Sequence, residues 1–166
     1  MARRSNLGLA LLTVAAVAVA IYLAQIHRPA TELERAPLYP GLAARANDIT
    51  HIEIRDAHTH TEIIREGELW VVANRGGYPA LFEPVKALVI AASTLRVLEG
   101  KTSNPELYPR LGVEPLDAPG SRARQVRLST ADGQTLADFL VGETREAREG
   151  GLTTLRGLYV RREGEA

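Results

Sequence analysis

The chain has 166 residues, 45% of them hydrophobic, which is enough for one domain and an anchor but not for two full domains. Its 20 Lys and Arg residues balance 20 Asp and Glu residues, so the formal net charge is zero and we expect no nucleic-acid partner. The chain contains no cysteine, which excludes disulfides, thiolate metal sites and thiol nucleophiles.

The N-terminal region contains one long apolar run. Residues 7–26 include no charged side chain, and a helix of that length rises about 30 Å, which is the thickness of a bilayer core. Arg3 and Arg4 precede the run, and positive residues beside a span favour the cytoplasmic side. We therefore expect a cytoplasmic tail at residues 1–6, a transmembrane helix at 7–26, and a periplasmic remainder held by a bacterial inner membrane.

A cleaved signal peptide is the alternative interpretation of the same run. Ala16, Ala18 and Ala20 fit the small-x-small pattern that precedes a cleavage site. The apolar character continues beyond these alanines as far as Ile26, where a signal peptide should already be polar. This continuation favours an uncleaved anchor.

Residues 27–48 are rich in proline and have weak periodicity, which is typical of an extended connector. An apolar stretch inside it, Leu-Tyr-Pro-Gly-Leu at 38–42, is either docked on the domain or a simple turn. The folded domain is predicted to occupy residues 49–166. Its expected strands, from alternating or continuous apolar residues, are 49–55, 59–65, 69–73, 125–129, 135–141 and 158–161.

The clearest helix of the domain is predicted at residues 81–98, because apolar residues recur there at helical spacing. The stripe consists of Val85, Leu88, Val89, Ala92 and Leu95. Pro84 suits only the first turn of a helix. The short connections between the first three strands and the Asp132-Gly133 turn favour antiparallel pairing. The predicted fold class is α+β: an N-terminal transmembrane helix, then a small antiparallel sheet with one main packed helix.

Several stretches in this order resemble a bacterial family known as a domain of unknown function. They are residues 38–42, 49–54, 69–72, 77–80, 101–102, 108–113, 132–133, 141–143 and 159–161. Members of that family are single-anchor envelope proteins associated with auxiliary components of gliding-motility-type ABC transporters. The resemblance implies an inner-membrane location and a multi-span transporter subunit as partner. It implies no catalytic residues.

Two features depart from the family. Members carry an acidic helix-capping residue where this chain has Leu81, so side-chain capping of the helix is in question. Members also continue further than Ala166, which suggests that the domain at 49–166 is a short form or a fragment.

His58 and His60 are the best candidates for a metal site, although weak ones. An i, i+2 pair on a strand points to one face, and His51 could join from a neighbouring strand. Zinc needs three or four ligands, and no third ligand is assured here. Exposed polar strand residues explain the same pattern, so we assign no metal ligand, no cofactor and no catalytic residue.

Other motifs are weaker still. The glycines Gly76 and Gly77 precede a helix but lack the lysine-bearing phosphate-loop pattern, so a turn is the better interpretation. Arginines on the predicted strands and beside them could form a basic patch or a solvated edge; they are Arg122, Arg124, Arg127, Arg161 and Arg162. The single tryptophan, Trp70, is expected in the core.

The sequence therefore favours a non-catalytic, membrane-anchored periplasmic accessory or binding module, expected to serve an ABC-type transport system. An envelope metal-assisted hydrolase that uses His58 and His60 is one alternative. A scaffold that binds an envelope polymer is another.

Overall fold

Seven strands form one antiparallel sheet in the computed structural model, which describes residues 36–149 and 153–164. The order across the sheet is β4-β3-β2-β1-β5-β6-β7. The strands are β1 (His51–Arg55), β2 (His60–Glu66), β3 (Leu69–Val72), β4 (Tyr78–Pro79), β5 (Arg124–Ser129), β6 (Thr135–Glu149) and β7 (Thr153–Arg162).

Two α-helices accompany the sheet, α1 (Phe82–Thr94) and the four-residue α2 (Tyr108–Leu111). Short 3-10 turns occur at Ala43–Asp48, Ala73–Arg75 and Pro105–Leu107. The predicted α+β class is confirmed. None of the helices in the described ranges has the length and apolar character to cross a membrane. The run at 7–26 lies outside those ranges.

The main core lies between one face of the sheet and α1. Ile52 and Leu128 are fully buried there, and Val85 and Ala92 of α1 pack against the same cluster as Trp70. The predicted helix stripe and the core position of the tryptophan are therefore confirmed. The first three strands form the expected meander, and β5 and β6 flank the Asp132-Gly133 turn, where Gly133 has a φ of +82°.

The helix α1 ends at Thr94, four residues before the predicted end. The hydroxyls of Ser93 and Thr94 donate to carbonyls of the preceding turn, which offers the backbone an alternative to further helix. Leu95 is extended, and its carbonyl accepts a hydrogen bond from the N–H of Leu38 at 2.8 Å. The chain after α1 thus pairs with a segment that precedes the sheet.

That segment, residues 36–48, is packed on the domain, although the sequence assigned it to a connector. Leu42 is buried in the core, and the Tyr39 ring lies 5.9 Å from that of Phe139. The Tyr39 hydroxyl donates to the carbonyl of Asp138 and accepts from its N–H. Of the two interpretations of the apolar stretch at 38–42, docking is confirmed, and the folded unit includes residues N-terminal to Ile49.

The β6–β7 hairpin is longer than predicted. Its register shifts between Val141 and Thr144, and beyond this bulge β6 pairs only with β7, whereas before it β6 also pairs with β5. Residues 143–149 are mostly charged. The two-stranded ribbon therefore lacks the alternation of apolar and polar residues from which a half-buried strand is predicted.

Residues 102–122 cover part of the sheet face opposite α1. Leu140 alternates with core residue Phe139 and therefore points to this second face, where it is buried. Its cross-strand neighbour Arg161 donates Nε–H to the Val113 carbonyl at 2.9 Å, and its guanidinium lies 4.9 Å from the Tyr108 ring. Residues 102–122 thus contribute to a second, smaller core.

The close packing of this stretch depends on Gly142. A Cβ atom at Gly142 would lie 2.1 Å from the Leu111 carbonyl oxygen, whereas one at Gly157, in the paired strand β7, would have no neighbour nearer than 3.9 Å. We expect Gly142→Ala to lower the free energy of unfolding by about 2 kcal/mol or more. Gly157→Ala should be neutral or slightly stabilising, because alanine suits a strand better than glycine. Urea unfolding of the full-length protein in mild detergent measures both; equal midpoints would contradict the close approach.

Candidate functional site

The sheet face opposite α1 carries a band of charged side chains on its central strands. In β1, His51, Glu53 and Arg55 alternate with the buried or half-buried isoleucines of the core face. Glu53 lies opposite Glu62 of β2 on one side and opposite Arg127 of β5 on the other. Strand pairing thus assembles acidic and basic groups that are far apart in the sequence.

Two diagonal histidine–glutamate pairs occupy this band. His51 Nε2 lies 2.9 Å from Glu62 Oε1, and His60 Nε2 lies 2.9 Å from Glu53 Oε1. Two like charges directly opposite each other on neighbouring strands repel. Each of the two facing glutamates has one histidine partner.

A chain of ion pairs extends the band across β5 and β6. Arg127 contacts Glu53 at 3.3 Å and donates Nε–H to Asp138 Oδ2 at 2.8 Å. The hydrogen bond to Asp138, together with the nearby negative charges of Asp138 and Glu53, raises the pKa of the Arg127 guanidinium. Gln125 donates its side-chain N–H to the other oxygen of Asp138. The carboxylates of this chain are thus matched by basic or amide donors.

The expected geometry for a metal site at His58 and His60 is not present. His60 is the first residue of β2, but His58 lies in the turn between β1 and β2, so the two do not share a strand face. His51 approaches Glu62 and not His60. Across residues 36–149 and 153–164, no three His, Cys, Asp or Glu side chains come together as metal ligands. Zinc requires at least three.

The turn that contains His58 is organised by Asp56. Its Oδ1 accepts the N–H groups of His58 and Thr59 at 2.8 and 2.7 Å, and its Oδ2 accepts the Thr59 hydroxyl at 2.7 Å. These bonds, the hydroxyl bond foremost, lower the pKa of the Asp56 carboxyl from 3.8 to about 2. Asp56 therefore has a structural role in a tight turn.

The predicted arginine cluster does not form a continuous basic patch. Arg122 is paired with Glu143 and donates to the Pro109 carbonyl. Arg127 belongs to the ion-pair chain, and Arg161 lies against the second core. Arg122, Arg127 and Arg161 therefore contact groups of the same chain.

A different surface is the most exposed apolar region that the structure describes. It lies at the start of α1 and on the adjoining edge of the sheet, and we call it the Tyr78–Phe82 surface. Its members and their exposed fractions are Leu69 (67%), Tyr78 (71%), Leu81 (77%) and Phe82 (57%). Soluble domains seldom expose contiguous large apolar side chains without a binding role.

Backbone pairing places Leu69 and Tyr78 at one edge of the sheet, next to the start of α1. The short edge strand β4 places Tyr78 opposite Val72, and the N–H of Ala80 then donates to the Trp70 carbonyl at 2.7 Å. Leu69 precedes Trp70 and Leu81 follows Ala80, so both residues adjoin this hydrogen bond. Leu81 is the N-cap of α1 without a side-chain capping bond, as its apolar character suggested.

Sequence reasoning missed this surface. It interpreted Gly76 and Gly77 as a turn, and it took position 81 as the start of a helix whose apolar stripe packs inward. The signal was nevertheless present, because Leu81 and Phe82 do not belong to the stripe that begins at Val85. Two bulky residues outside the buried stripe indicate an exposed apolar end of the helix.

Comparison with known proteins adds no relative. Neither the protein-family models, nor the curated proteins, nor the solved structures provide a match to this chain.

The lowered pKa of Asp56 gives a testable pH dependence. Because its folded pKa lies below the ordinary 3.8, ionised Asp56 stabilises the fold above that value, and this contribution is lost as the pH falls toward 2. Carboxyl-carbon NMR should show a midpoint of about 2 for Asp56. Thr59→Ala removes the strongest bond and should raise the midpoint toward 3.8, whereas Thr61→Ala should leave it unchanged. An ordinary midpoint in the unaltered protein would refute the turn geometry.

Proposed function

We propose that this protein is a non-catalytic binding module, held in a bacterial inner membrane by residues 7–26, with its domain in the periplasm. The Tyr78–Phe82 surface binds a multi-span membrane protein or a component attached to one. The resemblance to single-anchor envelope proteins favours a subunit of an ABC-type transport system as that partner.

The exposed Tyr78–Phe82 surface is the observation that carries this proposal. Aromatic side chains dominate the binding energy of protein interfaces, because they bury a large area while losing little conformational freedom. Tyr78 and Phe82 have this character, and Leu69 and Leu81 extend the apolar area around them. Lys86 lies over the Phe82 ring at 5.8 Å and supplies a charged rim.

The position of this surface on α1 suits a partner that extends away from the bilayer. The segment at Ala36 and Pro37, which leads back toward the anchor, pairs with residues just after the end of α1. The Tyr78–Phe82 surface is at the start of that helix. A 13-residue helix is about 20 Å long, so a partner bound there is well separated from the tether.

The alternative of a metal-assisted hydrolase is less well supported. It depends on His58 and His60, which the turn before β2 separates, and on a third ligand. The histidines on the strands are each bonded to one glutamate, an arrangement that cross-strand charge pairing accounts for. A polymer-binding scaffold finds no specific support among the described contacts.

The experiment is quantitative co-purification from native membranes in mild detergent. Tagged full-length protein should recover a multi-span permease or its ATPase. Leu81→Ala combined with Phe82→Ala should reduce that recovery about 30-fold, because loss of two central apolar anchors removes about 2 kcal/mol or more of binding energy.

Ile90→Ala is the matched control, because Ile90 is also exposed on α1 but lies two turns away from Phe82. It should leave recovery unchanged. Equal recovery with the double variant and the unaltered protein would show that another surface binds the partner. Recovery of no membrane protein by the unaltered chain would contradict the proposed function.

A further inference from the structure

A second exposed apolar site lies where the chain enters the domain. The N–H of Val97 donates to the Ala36 carbonyl at 3.0 Å, so the next residue, Leu98, is beside this point. Leu98 is 47% exposed. Its side chain reaches within 3.9 Å of the Cβ position at Gly157, so it lies against the β6–β7 hairpin.

Basic side chains border Leu98. Lys101 and Arg145 both approach the carboxylate of Glu99, and Arg145 lies opposite Gly157 in the β6–β7 hairpin. Two cations that share one carboxylate leave a net positive charge at this site. We call Leu98, Lys101 and Arg145 the tether surface.

The length of the tether limits how far this surface can be from the membrane. Ten Cα–Cα steps separate Ile26, the last residue of the apolar run, from Ala36. A fully extended chain covers at most about 3.5 Å per residue, so the tether surface can lie no more than about 35 Å from the end of the run.

We propose that the tether surface docks on the anionic phospholipid surface of the membrane that holds the anchor. This inference rests on the proposed function, because it requires residues 7–26 to span that membrane. An exposed leucine enters the boundary between headgroups and acyl chains, while neighbouring basic side chains attract anionic headgroups. The tether keeps the local lipid concentration high, so a small surface is sufficient.

Docking at this point orients the domain. The tether surface adjoins the residues that follow α1, whereas the Tyr78–Phe82 surface lies at the start of that helix. With the first surface on the lipid, the second is held about one helix length farther out. The lipid contact thus presents the partner-binding surface and restricts the directions from which a partner approaches.

The absence of cysteine allows a direct test with one attached probe. Gly100→Cys introduces a thiol beside the tether surface without altering Leu98, and a Cβ at Gly100 meets no atom within 4 Å. Full-length protein carrying an environment-sensitive fluorophore there is reconstituted into phosphatidylcholine vesicles with or without phosphatidylglycerol. Blue-shifted emission and quenching by headgroup-labelled lipid are expected only with phosphatidylglycerol.

Two variants make the result specific. Lys101→Gln with Arg145→Gln should lower the ratio of docked to undocked domain about 30-fold, since each basic residue near an anionic surface contributes about a factor of five. A probe at Glu83→Cys, in the first turn of α1, should remain in water in both vesicle types.

Three outcomes would overturn the inference. The Gly100 probe could stay in water beside anionic lipid, or it could shift equally in neutral vesicles and after the double substitution. A shift that grows with the protein-to-lipid ratio would identify a second copy of the chain as the occupant. Resistance to carbonate extraction tests the anchor separately, and release by carbonate would contradict the proposed function itself.

Discussion

The hydrogen bonds between the Tyr39 hydroxyl and the backbone of Asp138 hold the fold together at its N-terminal side. Strand β7 ends at Arg162, and the next amide, that of Glu163, donates to the Asp138 carbonyl. The Asp138 N–H donates to the Tyr39 hydroxyl. The ring packs on Phe139, and the Arg162 guanidinium lies 5.6 Å from it.

The hydrogen bonds of the Tyr39 hydroxyl attach residues 36–48 to the domain. The positions of both proposed surfaces depend on this attachment. With Tyr39 fixed, Leu38 reaches the Leu95 carbonyl and Ala36 reaches Val97, so the chain enters the domain beside the end of α1. The tether surface then lies at this end of the helix and the Tyr78–Phe82 surface at the other. On the second sheet face, the Asp138 carboxylate binds Arg127 and Gln125, which links the same residue to the ion-pair chain.

Local patterns predicted the parts of the fold that depend on neighbouring residues. Alternation around Ile52, the Val85 stripe and the Asp132-Gly133 turn each act within a few residues, and the structure has the corresponding strand, helix and hairpin. The Tyr39 contact spans 99 residues, and the sequence could only suggest docking without naming its partner. The His60–Glu53 pair likewise depends on strand register, which composition does not specify. The expected strand pair of His58 and His60 is absent for the same reason, because β2 begins at His60 and His58 lies in the turn before it.

Amide hydrogen exchange of the full-length protein tests the role of Tyr39 most directly. If its hydroxyl unites the N-terminal segment with the sheet, the Leu38 amide should exchange as slowly as that of the fully buried Leu128 in β5, since both would then open in one cooperative unit. Tyr39→Phe should accelerate exchange at Leu38 far more than at Leu128. Rapid exchange at Leu38 in the unaltered protein, with Leu128 still protected, would show that residues 36–48 are a loose connector and would contradict a fold that begins before β1.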